Sequence, residues 1–454
     1  MLTEALDPTR ELDLRQPSLG LAYLGAALKQ HLGRRVRVVR PVGNLDNALR
    51  QHKPDLLAIS STSVRYDLAC RMAEVAASLN VPTILGGIHI TTLPESLSPH
   101  VVAGVIGEGE RTLCELVEHM MEHDGFETAS LHDIRGLVFY DGDRLVQTAP
   151  REPVDPLDQL PPPDRSLAVP SPEHAYMFTS RGCPYRCVFC ASCRAWPGKV
   201  RFFSAERVVS EIEQLVVDHG VRVISFYDDL FIANRPRLDE IARLLHRRGL
   251  AGSVRFTCNA RVNLVDDDLC RTLRRIGVVS VNLGLESGTD RVLSWLKGSG
   301  VTVEDNRRAI ATIRRHGLLA QGSFIIGSPD ETRDEIEATY RFIREQPLSL
   351  VDVYVLRPYP GTPVWDEAVA RGLASPTMDY GSITHRDVLD PDRLINLSRT
   401  IDSHEMKRIY ARFMRLRYWK ILKGLPRHPY RGEIVKAGLR TLRAALGGWR
   451  NRRG

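Results

Sequence analysis

The sequence contains no apolar run near the ~18–20 residues that a helix needs to cross a bilayer, which excludes a helical membrane span. Its start, MLTEALDPTRELDLRQ, puts acidic residues where a signal peptide needs a basic and then an apolar region, so a cytoplasmic chain is expected. Cysteine is scarce, eight among 454 residues and unevenly spaced, which excludes a secreted disulfide framework. Aromatic residues are only 7% and form no stacking platform, and no RNA-binding module is present, so a nucleic-acid partner is not expected. A large excess of one charge is also missing. The net charge is +7, but residues 401–454 hold 15 Lys/Arg against 3 Asp/Glu, a balance of +12 that leaves −5 for the first 400. The chain is a mildly acidic body with a basic tail. At 43% hydrophobic and 26% charged it is globular, and its length suits two to four domains of ~100–200 residues.

Residues 20–120 alternate helical and strand patterns. LGLAYLGAALKQHLG reads as a helix closing on Gly33, VRVVRPV as a short strand and LDNALRQH as a helix. DLLAISST is a continuous apolar run ending in small hydroxyls, as a buried parallel strand is; DLACRMAEVAASL is helical and PTILGGIH is another strand. The repeat predicts a doubly wound, Rossmann-like (flavodoxin-like) α/β domain over 1–125, although only LTEAL stands where such domains open with an apolar strand. Residues 126–170 are expected to form a linker, with a hairpin at IRGLVFYDGDRLVQT and the Pro-rich stretch PVDPLDQLPPPDR. A second βα series fills 171–375, with strands AYMFTS, VISFYDD, VRFTCNA, VVSVNLGLE, QGSFIIG and VDVYVLRP. Helices near 204–219, 236–248, 266–276, 303–316 and 332–345 separate them. This predicts a partial (β/α)6 TIM-type barrel with chemistry at the strand C-terminal ends. Residues 376–454 form a basic α-helical C-terminal region.

Immediately after the first barrel strand, Arg181-Gly-Cys183-Pro-Tyr-Arg-Cys187-Val-Phe-Cys190 sets three thiolates at C-x3-C-x2-C. Three close thiolates can hold three irons of a [4Fe–4S] cluster and leave the fourth iron open. Cys193 adds a further spacing of two, so a closed four-thiolate zinc site is the alternative. Cys70, Cys114, Cys258 and Cys270 read as small buried apolar residues.

The motif, and those that follow it at successive strand ends, resemble the radical S-adenosylmethionine (SAM) superfamily. The resemblance places Phe189 near the adenine and Asp228-Asp229 near the methionine amino group. It sets Arg261, Glu286-Ser287-Gly288 and Lys297-Gly298 at the SAM ribose and carboxylate, with Gly322 on the fifth strand of the SAM-binding barrel. The N-terminal domain resembles the cobalamin-binding domain that precedes many radical SAM enzymes. It does so at Pro17-Ser-Leu19-Gly20-Leu-Ala-Tyr-Leu24, Ser60–Ser63, Gly86-Gly87-Ile-His89 and Gly107-Glu108-Gly109-Glu110. Small residues at strand ends admit a bulky nucleotide loop. The Asp-x-His-x-x-Gly motif, whose His coordinates cobalt from below, is missing, and His89 reads better as a turn histidine. The resemblance therefore implies cobalamin held without a protein histidine ligand.

The resemblance implies that Cys183, Cys187 and Cys190 ligate the cluster and that SAM chelates the open iron. It further implies a 5′-deoxyadenosyl radical that takes hydrogen from an unactivated carbon of a small natural-product or lipid-like substrate, with methylation through cobalamin. The alternatives are a non-methylating cyclisation, ring rearrangement or oxidation on the same cofactors, and a non-enzymatic metal-binding protein. The expected partners are the small-molecule substrate and an electron donor such as flavodoxin or ferredoxin. The tail, RIYARFMRLRYWKILKG then GEIVKAGLRTLRAALGGWRNRR, reads as a helical cap on the barrel, or as helices that touch an anionic membrane surface with Trp419 and Trp449 at interfacial positions. The two ligand sets predict different outcomes for Cys193→Ala. After anaerobic reconstitution this variant retains wild-type iron; loss of iron would establish the closed four-thiolate set.

Overall fold

The computed structural model describes residues 1–5, 18–41, 43–169, 171, 174–196, 199–383, 390–427, 431, 432 and 435. The opening strand is present but only three residues long. β1 (Leu2–Glu4) pairs in parallel with β2 (Leu57–Ser60), and the Met1 ammonium donates to Leu56 O at 2.6 Å. VRVVRPV, expected as a strand, is not a regular strand over its described residues 36–41, which border β1 where Leu2 N donates to Val39 O at 2.9 Å. It is an edge segment with alternating arginines, and the sheet closes without a full ladder there. β3 (Thr83–Gly86) and β4 (Ala103–Val105) continue the parallel sheet. The predicted hairpin, β5 (Leu137–Asp141) and β6 (Arg144–Gln147), then adds two antiparallel strands to this sheet.

Alternation along β2 shows why helices cover both faces. Leu57 and Ile59 enter one core with α2 (Leu45–His52) and α3 (Tyr66–Ser78), whereas Ala58 enters the other with α1 (Leu19–Leu32) and α5 (Gly109–His123). A short helix, α4 (Ile88–Thr92), follows β3. The first of these cores also takes in Val292, Leu296, Trp365 and Tyr380, so the second domain and the C-terminal segment pack directly on the first. The linker is tied down on both sides. Asp164 pairs with Lys29 at 2.5 Å, and buried Arg165 pairs with Glu211 and donates to Tyr176 O at 3.0 Å.

The second domain forms a six-stranded parallel sheet in the order β14-β13-β12-β11-β10-β7. Its strands are β7 (Ala175–Met177), β10 (Val223–Phe226), β11 (Arg255–Ala260), β12 (Val278–Glu286), β13 (Leu319–Ile326) and β14 (Leu350–Val355). The connecting helices are α7 (Ala205–Val217), α8 (Arg235–Arg247), α9 (Asp267–Ile276), α11 (Val303–Arg315) and α12 (Arg333–Glu345). Each starts at the side-chain cap its sequence supplies: Ser204, Asn234, Asp266, Thr302 or Thr332. All six strands point their C-terminal ends the same way, and β7 and β14 are left as edges; two shorter helices, α10 (Asp290–Lys297) and α13 (Pro363–Ala370), follow β12 and β14. A separate ribbon, β8 (Ser180–Arg181) against β9 (Arg201–Phe202), brackets the cysteine loop and the short helix α6 (Ser192–Ala195).

The tail's first helix, α14 (Ser403–Gly424), lies against β14 and is the cap expected of it. Lys420 Nζ donates to Arg344 O at 3.0 Å and Gln346 O at 2.5 Å, a cation on the C-terminal end of α12. Trp449 and the second tail helix lie outside the described residues, as does the side chain of Cys193. No helix among the described residues is long and apolar enough to cross a membrane.

The barrel core stacks Phe226 on Phe231 at 4.2 Å and on Phe256 at 5.0 Å, all three buried. Phe226→Ala is therefore expected to cost about 3–5 kcal/mol, read as a lower temperature for the main calorimetric transition.

Candidate active site

The ribbon β8–β9 holds the cysteine loop in place, and two sets of buried carboxylates hold the ribbon. Asp228, at the end of β10, accepts bonds from Thr179 N at 2.6 Å, Ser180 N at 3.1 Å and the Thr179 hydroxyl. Arg237 completes this anchor by donating to Thr179 O at 2.5 Å and Phe203 O at 2.7 Å. Burial raises the Asp228 carboxyl above the usual range, against the pull of these donors and of Arg237. Asp228, expected beside SAM, is thus given over to the backbone. Asp229 is the member of the pair that faces the cleft, where Ser192 donates to it at 3.2 Å.

A cleft of about 480 Å³ opens at the strand ends. Cys183, Cys187, Phe189, Asp229, Arg261, Glu286 and Lys297 all line it. Arg261 stacks on Tyr185 at 3.7 Å, and its Nη1 lies 3.7 Å from Cys187 Sγ. Its Nε is buried with no partner among the described residues, a donor left for a ligand. Lys297 Nζ donates to Gly284 O at 2.5 Å and to Glu286 Oε1 at 3.4 Å. Burial raises the Glu286 carboxyl, and Lys297 and Arg261 draw it back down. Glu286 also carries a left-handed φ of +57° where the β12–β13 register shifts, a strained position that turns its side chain over the cleft. A Cβ at Gly284 would sit 2.3 Å from Glu286 Oε1, so only glycine leaves room for this pair.

Ser287 and Gly322 fall outside the cleft lining. Ser287 is buried and lies within hydrogen-bond distance of the Thr289 and Thr339 hydroxyls, while Gly322 packs on Leu285 in the barrel core. The lining also includes Asn259, Asn282, Ser323, Tyr354 and Arg357, which sequence reading passed over. The signal was there as period-two alternation: Asn282, Gly284 and Glu286 interleave with buried Leu283 and Leu285. Burial pushes the Cys183 thiol up to about 11 and raises that of Cys190. Among the described residues no three His, Cys, Asp or Glu side chains converge on one metal-sized point. A tetrahedral zinc, with Zn–S bonds of about 2.3 Å, needs thiolates about 4 Å apart. Three thiolates on separate irons, with the fourth iron open, are the donor set that a [4Fe–4S] cluster takes.

A second cavity, of about 530 Å³, lies between the domains. Its first-domain wall includes Ser60 and Gly86 at strand ends, Gly87, Gly107 and Glu108 in the loops after strands, and Gly20 and Gly109 in the first turns of α1 and α5. Gly87 has φ +100°, and a Cβ there would meet Ser61 O at 2.5 Å. The barrel side contributes Phe178, Arg181, Trp196, Tyr227 and again Asp229, so one carboxylate borders both cavities. Ser180 Oγ and Tyr23 OH, on residues of this wall, are buried with no partner among the described residues. A roomy, mostly apolar site rimmed by glycines and spare hydroxyls fits a large amide-bearing ligand such as cobalamin.

Three residues expected at cobalamin are placed elsewhere. Leu19 is buried outside the lining. His89 is fully buried, with Ser63 Oγ at 3.0 Å from Nδ1, Ser96 Oγ at 3.0 Å from Nε2, and the Tyr66 ring stacked at 3.8 Å. Both of its nitrogens are used, and His89 and Ser63 are buried outside the cavity lining. No histidine lines the cavity among the described residues.

The comparisons agree with this architecture. The family model described as B12 binding domain matches residues 8–117, and that of the Radical SAM superfamily matches 177–343. An uncharacterized methyltransferase of Pyrococcus horikoshii is 32% identical over 446 residues, covering 94% of this chain and 93% of the relative. The chain is an enzyme of the radical SAM superfamily, in the group that carries an N-terminal B12-binding domain. An anaerobic magnesium-protoporphyrin IX monomethyl ester cyclase of Cereibacter sphaeroides is 30% identical; the match covers 76% of this chain and 60% of the cyclase. The fold is similar to that of TsrM, a radical SAM methyltransferase from Kitasatospora setae. Its complex with tryptophan and a SAM analog has a TM-score of 0.70 at 22% identity, covering 82% of this chain and 75% of TsrM. Its form with cobalamin and a [4Fe–4S] cluster has a TM-score of 0.68.

Burial lowers the His89 pKa to about 3, below its ordinary value of 6.5. The unfolded chain then binds the proton that the folded chain refuses, so this contribution to stability is full above pH 6.5 and is lost as the pH falls towards 3. Urea unfolding of the wild type is expected to show this loss, and His89→Gln to flatten it.

Proposed function

We propose that this enzyme is a cobalamin-dependent radical SAM methyltransferase that methylates an unactivated carbon of a small natural-product or lipid-like substrate. The observation that carries the proposal is the shared wall: the cleft lined by Cys183 and Cys187 and the interdomain cavity both border Asp229. A substrate carbon beside Asp229 would lie within reach of both. When bound, the [4Fe–4S] cluster supplies the electron that cleaves SAM, and cobalamin supplies the methyl group.

This chain's own residues do the holding. Cys183, Cys187 and Cys190 ligate the cluster, and the Arg261 guanidinium lies within reach of Cys187 Sγ. Glu286 and Asp229 offer carboxylates to the SAM ammonium, and Lys297 and Arg261 offer cations to its carboxylate and hydroxyls. Phe189 packs against the adenine side. Phe178, Tyr227 and Trp196 wall the interdomain cavity with aromatic surface, which keeps water from a reactive radical. Gly86, Gly87 and the Gly107–Gly109 turn leave room for the cobalamin nucleotide loop. A reduced flavodoxin or ferredoxin would serve as electron donor. The methyltransferase relative and the tryptophan bound in TsrM support a small-molecule methyl acceptor. The similarity to the cyclase favours one second reading, a non-methylating ring closure on the same cofactors.

The test is anaerobic purification with added hydroxocobalamin, followed by iron and cobalt analysis, the visible spectrum, and product analysis with SAM and a reductant. Methyl transfer predicts four irons and one cobalt per chain, with S-adenosylhomocysteine alongside 5′-deoxyadenosine. 5′-Deoxyadenosine without S-adenosylhomocysteine would support ring closure instead. Replacing the buried carboxylate that faces Lys297, as Glu286→Gln, removes a charged contact of about 1.5–3 kcal/mol. Equilibrium dialysis should then show SAM bound roughly 10–100-fold more weakly at unchanged iron content.

A further inference from the structure

One group of buried charges forms part of the wall of the interdomain cavity and reaches the start of the cysteine loop, so it lies between the two proposed cofactor sites. Arg181, two residues before Cys183, donates from Nη2 to Glu110 at 2.6 Å, and its Nη1 lies 3.2 Å from Glu108. Arg201 stands directly opposite Arg181 in the β8–β9 ribbon and pairs with the same Glu108 at 2.5 and 3.1 Å. Arg201 also donates to Val154 O at 2.5 Å, and Val154 N donates to Glu108 at 2.7 Å, which draws the linker into the group. The Arg181 guanidinium lies between the rings of Tyr23 and Trp196, at 5.2 and 5.6 Å. All four charged side chains are nine-tenths or more buried.

The placement of these charges matters more than their number. Glu108 and Glu110 flank the turn that forms part of the first-domain wall of the interdomain cavity, and Arg181 and Gly182 form part of its barrel wall. The ribbon that carries both arginines encloses the whole loop with Cys183, Cys187 and Cys190. Anything that fixes the Gly107–Glu110 turn therefore also fixes the start of the cysteine loop. The other anchor of the ribbon, Asp228, lies inside the barrel and does not line the cavity.

We propose that the Arg181–Glu110–Glu108–Arg201 group couples the two cofactor sites, so that cobalamin in the interdomain cavity and an assembled cluster on the cysteine loop each strengthen binding of the other. Arg181 and Glu110 are its positioning residues. The inference rests on the reading of the interdomain cavity as the cobalamin site. Because coupling between two ligands is reciprocal, it can be read from either side.

The experiment titrates hydroxocobalamin into the full-length protein by visible absorbance, once with the cluster reconstituted and once after chelation, and measures cluster loss to chelator with and without cobalamin. The wild type should bind cobalamin at least about fivefold tighter with the cluster present, the lower end of ordinary coupling. It should also lose its cluster more slowly by a similar factor when cobalamin is bound. Glu110→Gln and Arg181→Lys keep the shape of the contact and weaken its charge pairing; in each, the ratio should fall towards one while the reconstituted cluster keeps its electron paramagnetic resonance signature. Asp228→Asn should speed cluster loss equally with and without cobalamin, which distinguishes a loosened loop from a broken coupling. Equal cobalamin affinities in the two wild-type forms, or a ratio unchanged in both charge variants, would overturn the inference. Absence of cobalamin binding in both wild-type forms would instead remove the cobalamin reading, and the coupling with it.

Discussion

The cysteine loop carries little regular structure of its own, and it is held by buried carboxylates. At the barrel end Asp228 collects the amides and hydroxyl of Thr179 and Ser180, and across the domain boundary Glu108 and Glu110 hold Arg181 and Arg201. Buried charges are tolerated only when their partners and geometry offset the loss of water. Asp228 and Glu108 each have several partners and Glu110 pairs with Arg181, and together they fix both strands of the ribbon around the loop. The positions of the three thiols, of Asp229 and of the wall between the two cavities all depend on that constraint.

The barrel separates support from chemistry through the period of its strands. On β12, Leu283 and Leu285 enter the core while Asn282, Gly284 and Glu286 face the cleft. Neighbouring strands extend this face. Asn282 donates to Asn259 at 3.2 Å, and Asn259 donates to Asp228 O at 3.1 Å. A layer of amides therefore lies beneath the ligand-facing groups and ties three strands together. The strain in Glu286 fits the same plan, since a left-handed residue at the end of a strand persists only where its surroundings hold it.

The elements legible in the sequence were those set by local pattern. All six barrel strands and the five helices between them stand close to the positions that apolar periodicity and side-chain caps predict. The short opening strand was harder to read, because three residues with Thr and Glu among them carry too little apolar signal. The stretch 36–41 points the opposite way: it has strand composition but lies at an edge and forms no regular strand. His89 shows the same limit. As a residue in a glycine turn it looks available to a ligand, yet Ser63 and Tyr66 from one segment and Ser96 from another enclose it.

The sequence by itself determined the order of domains, the strand-and-helix alternation and the three-cysteine motif, because each depends on neighbours within a few residues. Only the tertiary structure decided which of two adjacent aspartates faces the cleft. It also decided that Glu108 and Glu110 serve the domain boundary, and that two cavities from different domains share one wall. Those outcomes depend on which buried charge finds which partner across a long stretch of chain. The physical reason is that the cost of an unpaired buried charge is settled by three-dimensional neighbours, which residue spacing does not record.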